Sequence, residues 1–377
     1  MLFWSIIIFS ATMFVAYANG ANDNFKGVAT LLGSGTSDYQ KALWWATVTT
    51  FAGSMTALFL ATKLVETFQG RGLIPESLTG SGPFAAAVIL GTGLTLFLAT
   101  KIGAPISTTH SLTGALIGSG LMAVGSDFGF VALWDKFLIP LLLSPLIAVG
   151  LAVIVYPLFR LSATFIGLTR ETCICAGEEL VPVAITPGGH FMTTGTKSVQ
   201  VVVDQEANCA ESYTEKIFGV NAQTALGSLH YLSAGALSFA RGLNDTPKIV
   251  ALSLTAGTLD LRWCVYLVAL FMALGGLFHA QRVAETMSKR ITEMDFGQGF
   301  AANLVASFLV IFASRWGLPV STTHVSCGAL FGIGAVNGKA RWGVVRSIVL
   351  AWVLTLPVAA LLSGGIFTVL QDLIGKG

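Results

Sequence analysis

The sequence has few charged residues and few cysteines. Lys, Arg, Asp and Glu together make up 11% of the 377 residues, against about 25% in an average soluble domain. So few charges cannot cover the surface of a water-soluble protein of this length, which excludes an ordinary cytosolic enzyme and a disordered chain. The five cysteines are an odd number, so no disulfide framework is predicted. Basic residues form no stripe along any segment, which argues against nucleic acid as a partner.

Motifs typical of enzymes are also missing from the sequence. It contains no phosphate-binding loop, no dinucleotide-binding glycine pattern, no acidic metal cluster and no nucleophile paired with a base. Apolar residues (54%) and glycine (42 residues) are abundant instead. This combination is typical of closely packed membrane helices. We therefore expect no enzyme activity and no resident cofactor, but a multi-pass protein of the plasma or inner membrane, with the lipid bilayer as its main partner.

The chain contains two copies of one half. Four blocks recur in the same order, and their offset falls only from 222 to 214 residues, which indicates a duplication. The matched blocks are Tyr17–Lys26 with Phe239–Lys248, Lys63–Thr67 with Arg282–Thr286, Phe84–Ala86 with Phe300–Ala302, and Gly103–His110 with Gly317–His324.

The duplication predicts three parts: a first transmembrane repeat at 1–160, a polar loop at 161–220 and a second transmembrane repeat at 221–377. An odd number of crossings in each repeat inserts the two repeats in opposite orientations. The basic residues of the short loops then place the polar loop in the cytoplasm. Within this loop, Leu180–Ile185 and Val199–Val203 flank a Pro-Gly-Gly turn and predict a small hairpin.

Several apolar stretches reach the ~20 residues that cross a bilayer as a helix. The runs after Asp23 and Asp245 are shorter and rich in glycine, which predicts helices interrupted at these points and resumed as half-helices. The stretches 83–122 and 298–334 fit either two crossings each or one re-entrant hairpin each. The expected fold is an all-α polytopic membrane protein with inverted-topology repeats, broken helices, and re-entrant or half-helices at the middle of the membrane.

Each repeat carries one Asn-Asp pair, at Asn22–Asp23 and at Asn244–Asp245. A carboxylate at the centre of a bilayer costs ~2.5–3.5 kcal/mol on insertion scales. Carboxylate, amide and freed backbone oxygens are hard ligands that suit a small cation. These four residues therefore predict a cation site, and the alternative is that both aspartates only cap half-helices.

Each repeat also carries one Ser-Thr-Thr-His run that follows a Gly-x-Pro. Proline followed by hydroxyl residues marks the N-terminus of a helix, where free N–H groups and the helix dipole bind anions. In an inverted repeat the two N-termini can face each other and surround one anion. The alternative is ordinary packing of hydroxyl residues between helices. The predicted anion ligands are Ser107, Thr108, Thr109, Ser321, Thr322 and Thr323.

These motifs give the sequence a resemblance to a known family. Gly-Ala-Asn-Asp at 20–23, Gly-Leu-Asn-Asp at 242–245, and Pro-x-Ser-Thr-Thr-His in both halves resemble the inorganic phosphate transporter (PiT) family. The resemblance implies uptake of inorganic phosphate with a cation, often sodium, by a secondary transporter of the sodium/phosphate symporter type. It implies that the Asn-Asp residues bind sodium and the Ser-Thr-Thr residues bind phosphate. A cytoplasmic central loop, external termini and a homodimer are also implied by the resemblance.

One feature departs from the family pattern. Three residues after each Asp, where the family usually has a second Asn, the chain has Lys26 and Lys248. Each lysine could replace a sodium ion, contact phosphate or extend to the membrane interface. Two aspartates, two lysines and one phosphate give a net charge of −1 to −2, so we expect one or two cations to bind with the anion. His110 and His324 could contact phosphate, carry protons or act only as structural hydrogen-bonding groups.

Other functions fit parts of the same pattern. A proton-coupled phosphate carrier and a sulfate permease need the same hydroxyl and N–H donors, because sulfate has the tetrahedral shape of phosphate. The sequence lacks the motifs that an intramembrane phosphotransferase needs. A channel fits less well than alternating access, because the two half-sites are predicted at the middle of the membrane.

Overall fold

The computed structural model describes residues 2–70, 72–165, 172–179, 184–185, 191–192, 199–205, 213–255 and 260–375. The chain divides into two compact units. The larger unit joins Met1–Tyr156 with His230–Gly377, and the smaller unit is Pro157–Leu229. The larger unit therefore combines both halves of the chain, and it contains all of the predicted site residues.

The described residues of the larger unit form helices. Those of the first half are α1 (Leu2–Asp23), a 3₁₀ turn (Asn24–Gly27), α2 (Ala29–Gly33), α3 (Tyr39–Leu60), α4 (Thr62–Phe68), α5 (Glu76–Thr79), α6 (Gly82–Lys101), α7 (Thr108–Val124), a 3₁₀ turn (Gly125–Asp127), α8 (Phe130–Leu133), a π turn (Trp134–Leu138) and α9 (Ile139–Phe165). Those of the second half are α10 (Ala222–Thr255), α11 (Leu261–His279), α12 (Gln281–Glu285), a π turn (Thr286–Arg290), α13 (Phe296–Trp316), α14 (Thr322–Asn337) and α15 (Trp342–Gly375). The end of α9 and the start of α10 belong to the smaller unit.

Among the described residues, seven helical segments are long and apolar enough to cross a membrane, which confirms the helical membrane class. They are Leu2–Gly27, Tyr39–Leu60, Gly82–Lys101, Phe130–Phe165, Leu261–His279, Phe296–Trp316 and Trp342–Leu373. The helices α7 and α14 have only 17 and 16 residues and are buried along most of their length. At ~1.5 Å per residue they fall short of the ~30 Å of a bilayer core. Each follows a short non-helical segment, so 83–122 and 298–334 both form a helix, a tip and a second, shorter helix.

The two predicted helix interruptions differ in the structure. The helix α1 ends at Asp23, and a 3₁₀ turn separates it from α2, as expected. The interruption expected after Asp245 is wrong, because α10 continues from Ala222 to Thr255 with Pro247 inside it. Proline removes one backbone N–H and bends a helix without ending it when neighbouring helices support the bend.

Glycines let the first helix of each repeat pack directly on the other repeat. A Cβ on Gly20 would lie 1.9 Å from the backbone oxygen of Met272, so α1 and α11 meet backbone to backbone. The duplicate contact joins α10 to α3, where a Cβ on Gly242 would lie 2.1 Å from the backbone oxygen of Thr50. The glycine of each Gly-x-Asn-Asp motif is therefore required by a close helix crossing between repeats.

The described residues of the smaller unit form five strands. They are β1 (Thr172–Glu179), β2 (Ala184–Ile185), β3 (Phe191–Met192), β4 (Val199–Gln205) and β5 (Tyr213–Asn221). Strands β4, β1 and β5 form an antiparallel sheet in that order, and β2 pairs with β3. Among the described residues, Val199–Val203 pairs with β1 and Ala184–Ile185 pairs with β3, so the hairpin expected between 180–185 and 199–203 stays a prediction. Residues 180–183 and the Pro-Gly-Gly turn lie outside the described residues.

Candidate functional site

The first Asn-Asp pair surrounds a lysine. The ammonium group of Lys26 donates to Asp23 Oδ1, to Asn22 Oδ1 at 2.9 Å and to the backbone oxygen of Ile106 at 2.6 Å. It also donates to Thr323 Oγ1 of the second repeat at 2.7 Å. Because Lys26 is buried, these four oxygens replace the water that the ammonium group loses on folding.

The second repeat forms a similar cluster around its own lysine. The ammonium group of Lys248 donates to Val320 O at 2.9 Å, to Thr109 Oγ1 at 2.8 Å and to Asp245 Oδ1 at 3.4 Å. The two clusters differ at the asparagine. Asn22 Oδ1 accepts from Lys26, whereas the Nδ2 group of Asn244 donates to Asp245 Oδ1 and to Val320 O. In both clusters the ammonium group contacts the aspartate that the sequence assigned to a cation and a threonine that it assigned to the anion.

The hydroxyl residues predicted to bind an anion lie where α7 and α14 begin. Ser107 and Ser321 act as N-caps, and each Oγ accepts from the backbone N–H three residues later. Thr109 donates to Val320 O at 3.1 Å, and Thr323 donates to Ile106 O at 2.9 Å, so each tip is bonded to the tip of the other repeat. The two helix N-termini therefore meet, together with Thr108, which donates to Asp23 Oδ2 at 3.0 Å. Thr322 is buried in the first turn of α14.

The two predicted histidines lie next to each other. The ring centroids of His110 and His324 are 4.3 Å apart, and His324 also stacks on Trp352 at 3.9 Å. The contact joins equivalent residues of the two repeats. The structure therefore brings every residue of the sequence-predicted site into one buried region.

The family assignment rests on a match that spans most of the chain. The model of the phosphate transporter family matches residues 19–363. The chain belongs to this family. The resemblance derived from the motifs is confirmed, and the chain is a multi-pass membrane phosphate permease rather than an enzyme.

Individual relatives of the phosphate transporter match it over nearly its whole length. A Pyrococcus horikoshii protein named as a phosphate permease is 29% identical and is matched over 97% of this chain and 98% of its own. The chloroplastic inorganic phosphate transporter 2-1 of Arabidopsis thaliana is 27% identical over 96% of this chain and 71% of its own. A solved structure described as the sodium-dependent phosphate transporter has a TM-score of 0.77 and 21% identity, covering 98% of this chain and 99% of that one. This last likeness shows a shared fold.

Two further polar residues of the phosphate transporter lie in the same region and were missed from the sequence. The Nδ2 group of Asn19 donates to Thr108 Oγ1 at 2.8 Å, to Asp23 Oδ2 at 3.1 Å and to Asp245 Oδ2 at 3.3 Å. The repeat equivalent of Asn19 is Arg241, which is only 1% exposed. The repeat alignment carried the signal, because it pairs a polar and a charged residue inside two apolar helices.

Arg241 changes the charge count of the transporter's site. Among the described residues, the charged side chains that are buried are Asp23, Lys26, Arg241, Asp245 and Lys248. With all five ionised, three positive and two negative charges leave the region with one positive charge. The sequence-based count of one or two accompanying cations omitted Arg241. One dihydrogenphosphate ion alone, or one hydrogenphosphate ion with one monovalent cation, neutralises the region.

Proposed function

We propose that this phosphate transporter imports inorganic phosphate with one monovalent cation by alternating access at a single site between its two repeats. The observation that carries the proposal is the reciprocal bonding of the two tips. Thr109 bonds to Val320, Thr323 bonds to Ile106, and each lysine cluster includes a threonine of the other repeat. Movement of one repeat against the other breaks and remakes these contacts, which is how paired repeats expose a site to one side at a time.

We propose that the two repeats are inverted in the membrane, with 161–220 on the cytoplasmic side and the tips near the bilayer centre. The shortness of α7 and α14 supports re-entrant helices, because neither can cross the membrane alone. Their buried N-termini offer a favourable dipole to an anion at a depth where water is scarce. The transmembrane repeats are then 1–160 and 221–377.

Phosphate is proposed to bind at the N-termini of α7 and α14, in contact with the threonines of both tips. Its oxygens would accept from the N–H and hydroxyl donors of this region. The capping role of Ser107 and Ser321 supports a contribution through helix geometry rather than direct contact. Inorganic phosphate and the cation bind in the same region, so the net charge of the loaded site is the sum of their charges and those of the buried side chains.

Sodium is the coupled cation we propose, held by oxygens of the two Asn-Asp pairs. One sodium with hydrogenphosphate neutralises the single positive charge of the site, which avoids the cost of carrying a net charge through the bilayer. For sodium to reach Asp23 or Asp245, the corresponding lysine must withdraw from that carboxylate. Exchange between ammonium group and sodium is then part of the transport cycle.

Proton coupling is the second candidate, and the lysine clusters favour it. Both ammonium groups already contact the oxygens assigned to sodium. Dihydrogenphosphate would neutralise the site without sodium. Transport of dihydrogenphosphate is equivalent to transport of hydrogenphosphate together with one proton. His110 and His324 lie beside the region as further titratable groups.

Uptake by the purified protein in liposomes tests these proposals. Labelled phosphate is supplied with an inward sodium gradient, with choline in place of sodium, and with an inward proton gradient. Sodium coupling predicts stimulation by the sodium gradient and uptake of about one labelled sodium per phosphate. Stimulation by the proton gradient alone would establish proton coupling instead. Absence of phosphate uptake under all three conditions would contradict the proposal, and competition by excess sulfate would widen the substrate class.

The homodimer implied by the family resemblance stays a prediction. Cross-linking in native membranes, followed by mass measurement of the solubilised protein, tests it.

A further inference from the structure

Arg241 is a buried arginine whose guanidinium group has no hydrogen-bond partner among the described residues. Its side chain is 1% exposed, yet Nε, Nη1 and Nη2 all lack a hydrogen bond in that part of the chain. Five N–H donors on a permanently charged group are costly to bury without acceptors. Such a group needs acceptors from outside the described side chains, and a bound anion supplies both the acceptors and the opposite charge.

The position of Arg241 in the fold directs it toward the transport site. It precedes Asp245 by four residues in α10, so both residues lie on one face of that helix. The guanidinium group interacts electrostatically with Asp245 and with Asp23 of the other repeat. Asn19, its equivalent in the first repeat, contacts both carboxylates and Thr108 directly. Since Asn19 contacts the beginning of α7, the repeat relationship predicts that Arg241 lies beside the beginning of α14.

The two carboxylates are already compensated without Arg241. Asp23 accepts from Lys26, Asn19 and Thr108. Asp245 accepts from Lys248, Asn19 and Asn244. Because other donors hold both carboxylates, Arg241 supplies the one positive charge that remains in the region.

We propose that Arg241 binds the transported phosphate directly, through two parallel N–H···O hydrogen bonds from its guanidinium group. This proposal rests on the phosphate transport proposed above, and it adds a ligand that belongs to neither the Asn-Asp pairs nor the Ser-Thr-Thr-His runs. The planar guanidinium fork matches two oxygens of a tetrahedral oxyanion, and its charge persists at every physiological pH. Since the first repeat has Asn19 at this position, phosphate is held asymmetrically, closer to the second repeat.

The test compares Arg241→Gln and Arg241→Lys with the unchanged protein, using inorganic phosphate as the probe. Thermal unfolding in detergent, with and without phosphate, measures binding, and liposome uptake measures transport. Loss of charge-assisted hydrogen bonds predicts a rise in the phosphate Kd and KM of ~10- to 100-fold for Arg241→Gln. Arg241→Lys keeps the charge but loses the fork, so an intermediate rise is expected. Ser363→Ala is the control. It removes a buried hydroxyl group in a different helix, α15, and its KM for phosphate should equal that of the unchanged protein.

The Tm measured without phosphate distinguishes a residue that binds phosphate from one that only supports the fold. Because Arg241→Gln removes a buried charge whose N–H groups have no acceptor among the described residues, we expect its Tm without phosphate to equal or exceed that of the unchanged protein. The rise in Tm on adding phosphate should be lost. An unchanged Kd for phosphate in Arg241→Gln would overturn the proposal, as would a fall in Tm that leaves the phosphate-dependent rise intact. If Arg241→Gln does not fold, an unchanged KM in Arg241→Lys overturns it.

The failure of this proposal is distinguishable from failure of the proposed function. Phosphate uptake by the unchanged protein together with normal phosphate affinity in both variants refutes only the role of Arg241. Absence of phosphate binding and uptake by the unchanged protein refutes both.

Discussion

Lys26 of the first repeat donates a hydrogen bond to Thr323 Oγ1 of the second repeat, with 2.7 Å between the two atoms. The equivalent contact, from Lys248 to Thr109 at 2.8 Å, runs in the opposite direction across the same interface. Each lysine therefore neutralises the aspartate of its own repeat and binds the tip of the other. Lys26 and Lys248 therefore both compensate the buried aspartates and link the two repeats.

Replacing Lys26 with methionine should strongly destabilise the protein. The change leaves Asp23 buried without its main cationic partner, and breaking a buried ion pair in this way costs about 3–5 kcal/mol. The double variant Asp23→Asn, Lys26→Met removes both charges and should recover much of the loss. Thermal unfolding in detergent without phosphate measures both effects.

An exposed ion pair provides the control for this prediction. Lys41 contacts Asp38 at 3.0 Å on the surface, so Lys41→Met should leave Tm nearly unchanged. Equal losses from Lys26→Met and from the double variant would show that the charge of Asp23 does not need Lys26.

Replacing Lys248 with asparagine should increase the number of sodium ions carried with each phosphate. The variant introduces the asparagine that the family resemblance implies for this position, and it frees the carboxylate oxygen that the ammonium group contacts. It also removes one positive charge, so one additional sodium is needed to keep the loaded site neutral. Uptake of labelled sodium and labelled phosphate, measured together over a series of sodium concentrations, gives the ratio. An unchanged ratio and an unchanged sodium dependence would show that sodium does not bind at Asp245.

The sequence predicted the helical membrane class and the family, because both depend on composition and on motifs that the duplication repeats. The same repetition identified the Asn-Asp and Ser-Thr-Thr residues, whose ligand roles stay predictions. Arg241 was missed because it has no charged equivalent in the first repeat. The lysine contacts could not be derived, since the oxygens of Thr323 and Val320 come from distant parts of the chain. Whether Pro247 ends or bends α10 likewise depends on the helices packed around it.

Ser107→Ala should reduce stability while leaving phosphate affinity nearly unchanged. In the structure, Ser107 Oγ caps α7 by accepting from the N–H of His110 at 3.1 Å, and loss of such a cap costs about 1 kcal/mol. Ser107→Asn keeps a capping side chain and should restore most of the lost stability. The measurements are Tm without phosphate and KM for phosphate in liposomes. A KM raised tenfold or more at an unchanged Tm would instead assign Ser107 to phosphate binding, as the sequence alone predicted.

Gly20→Ala should disrupt the packing between the repeats. A Cβ at this position would lie 1.9 Å from the backbone oxygen of Met272, and neither helix can yield locally because both are long and buried along this contact. We expect α1 to be displaced from α11, which moves Asn22 and Asp23 away from Lys26, with a large fall in Tm and loss of phosphate uptake. Gly365→Ala is the matched control, because a Cβ at this position would meet no atom within 4 Å beyond its own turn of helix, and alanine is favoured over glycine inside a helix by about 1 kcal/mol. A Gly20→Ala protein as stable and active as Gly365→Ala would mean that this close crossing of the two repeats is not required for the site.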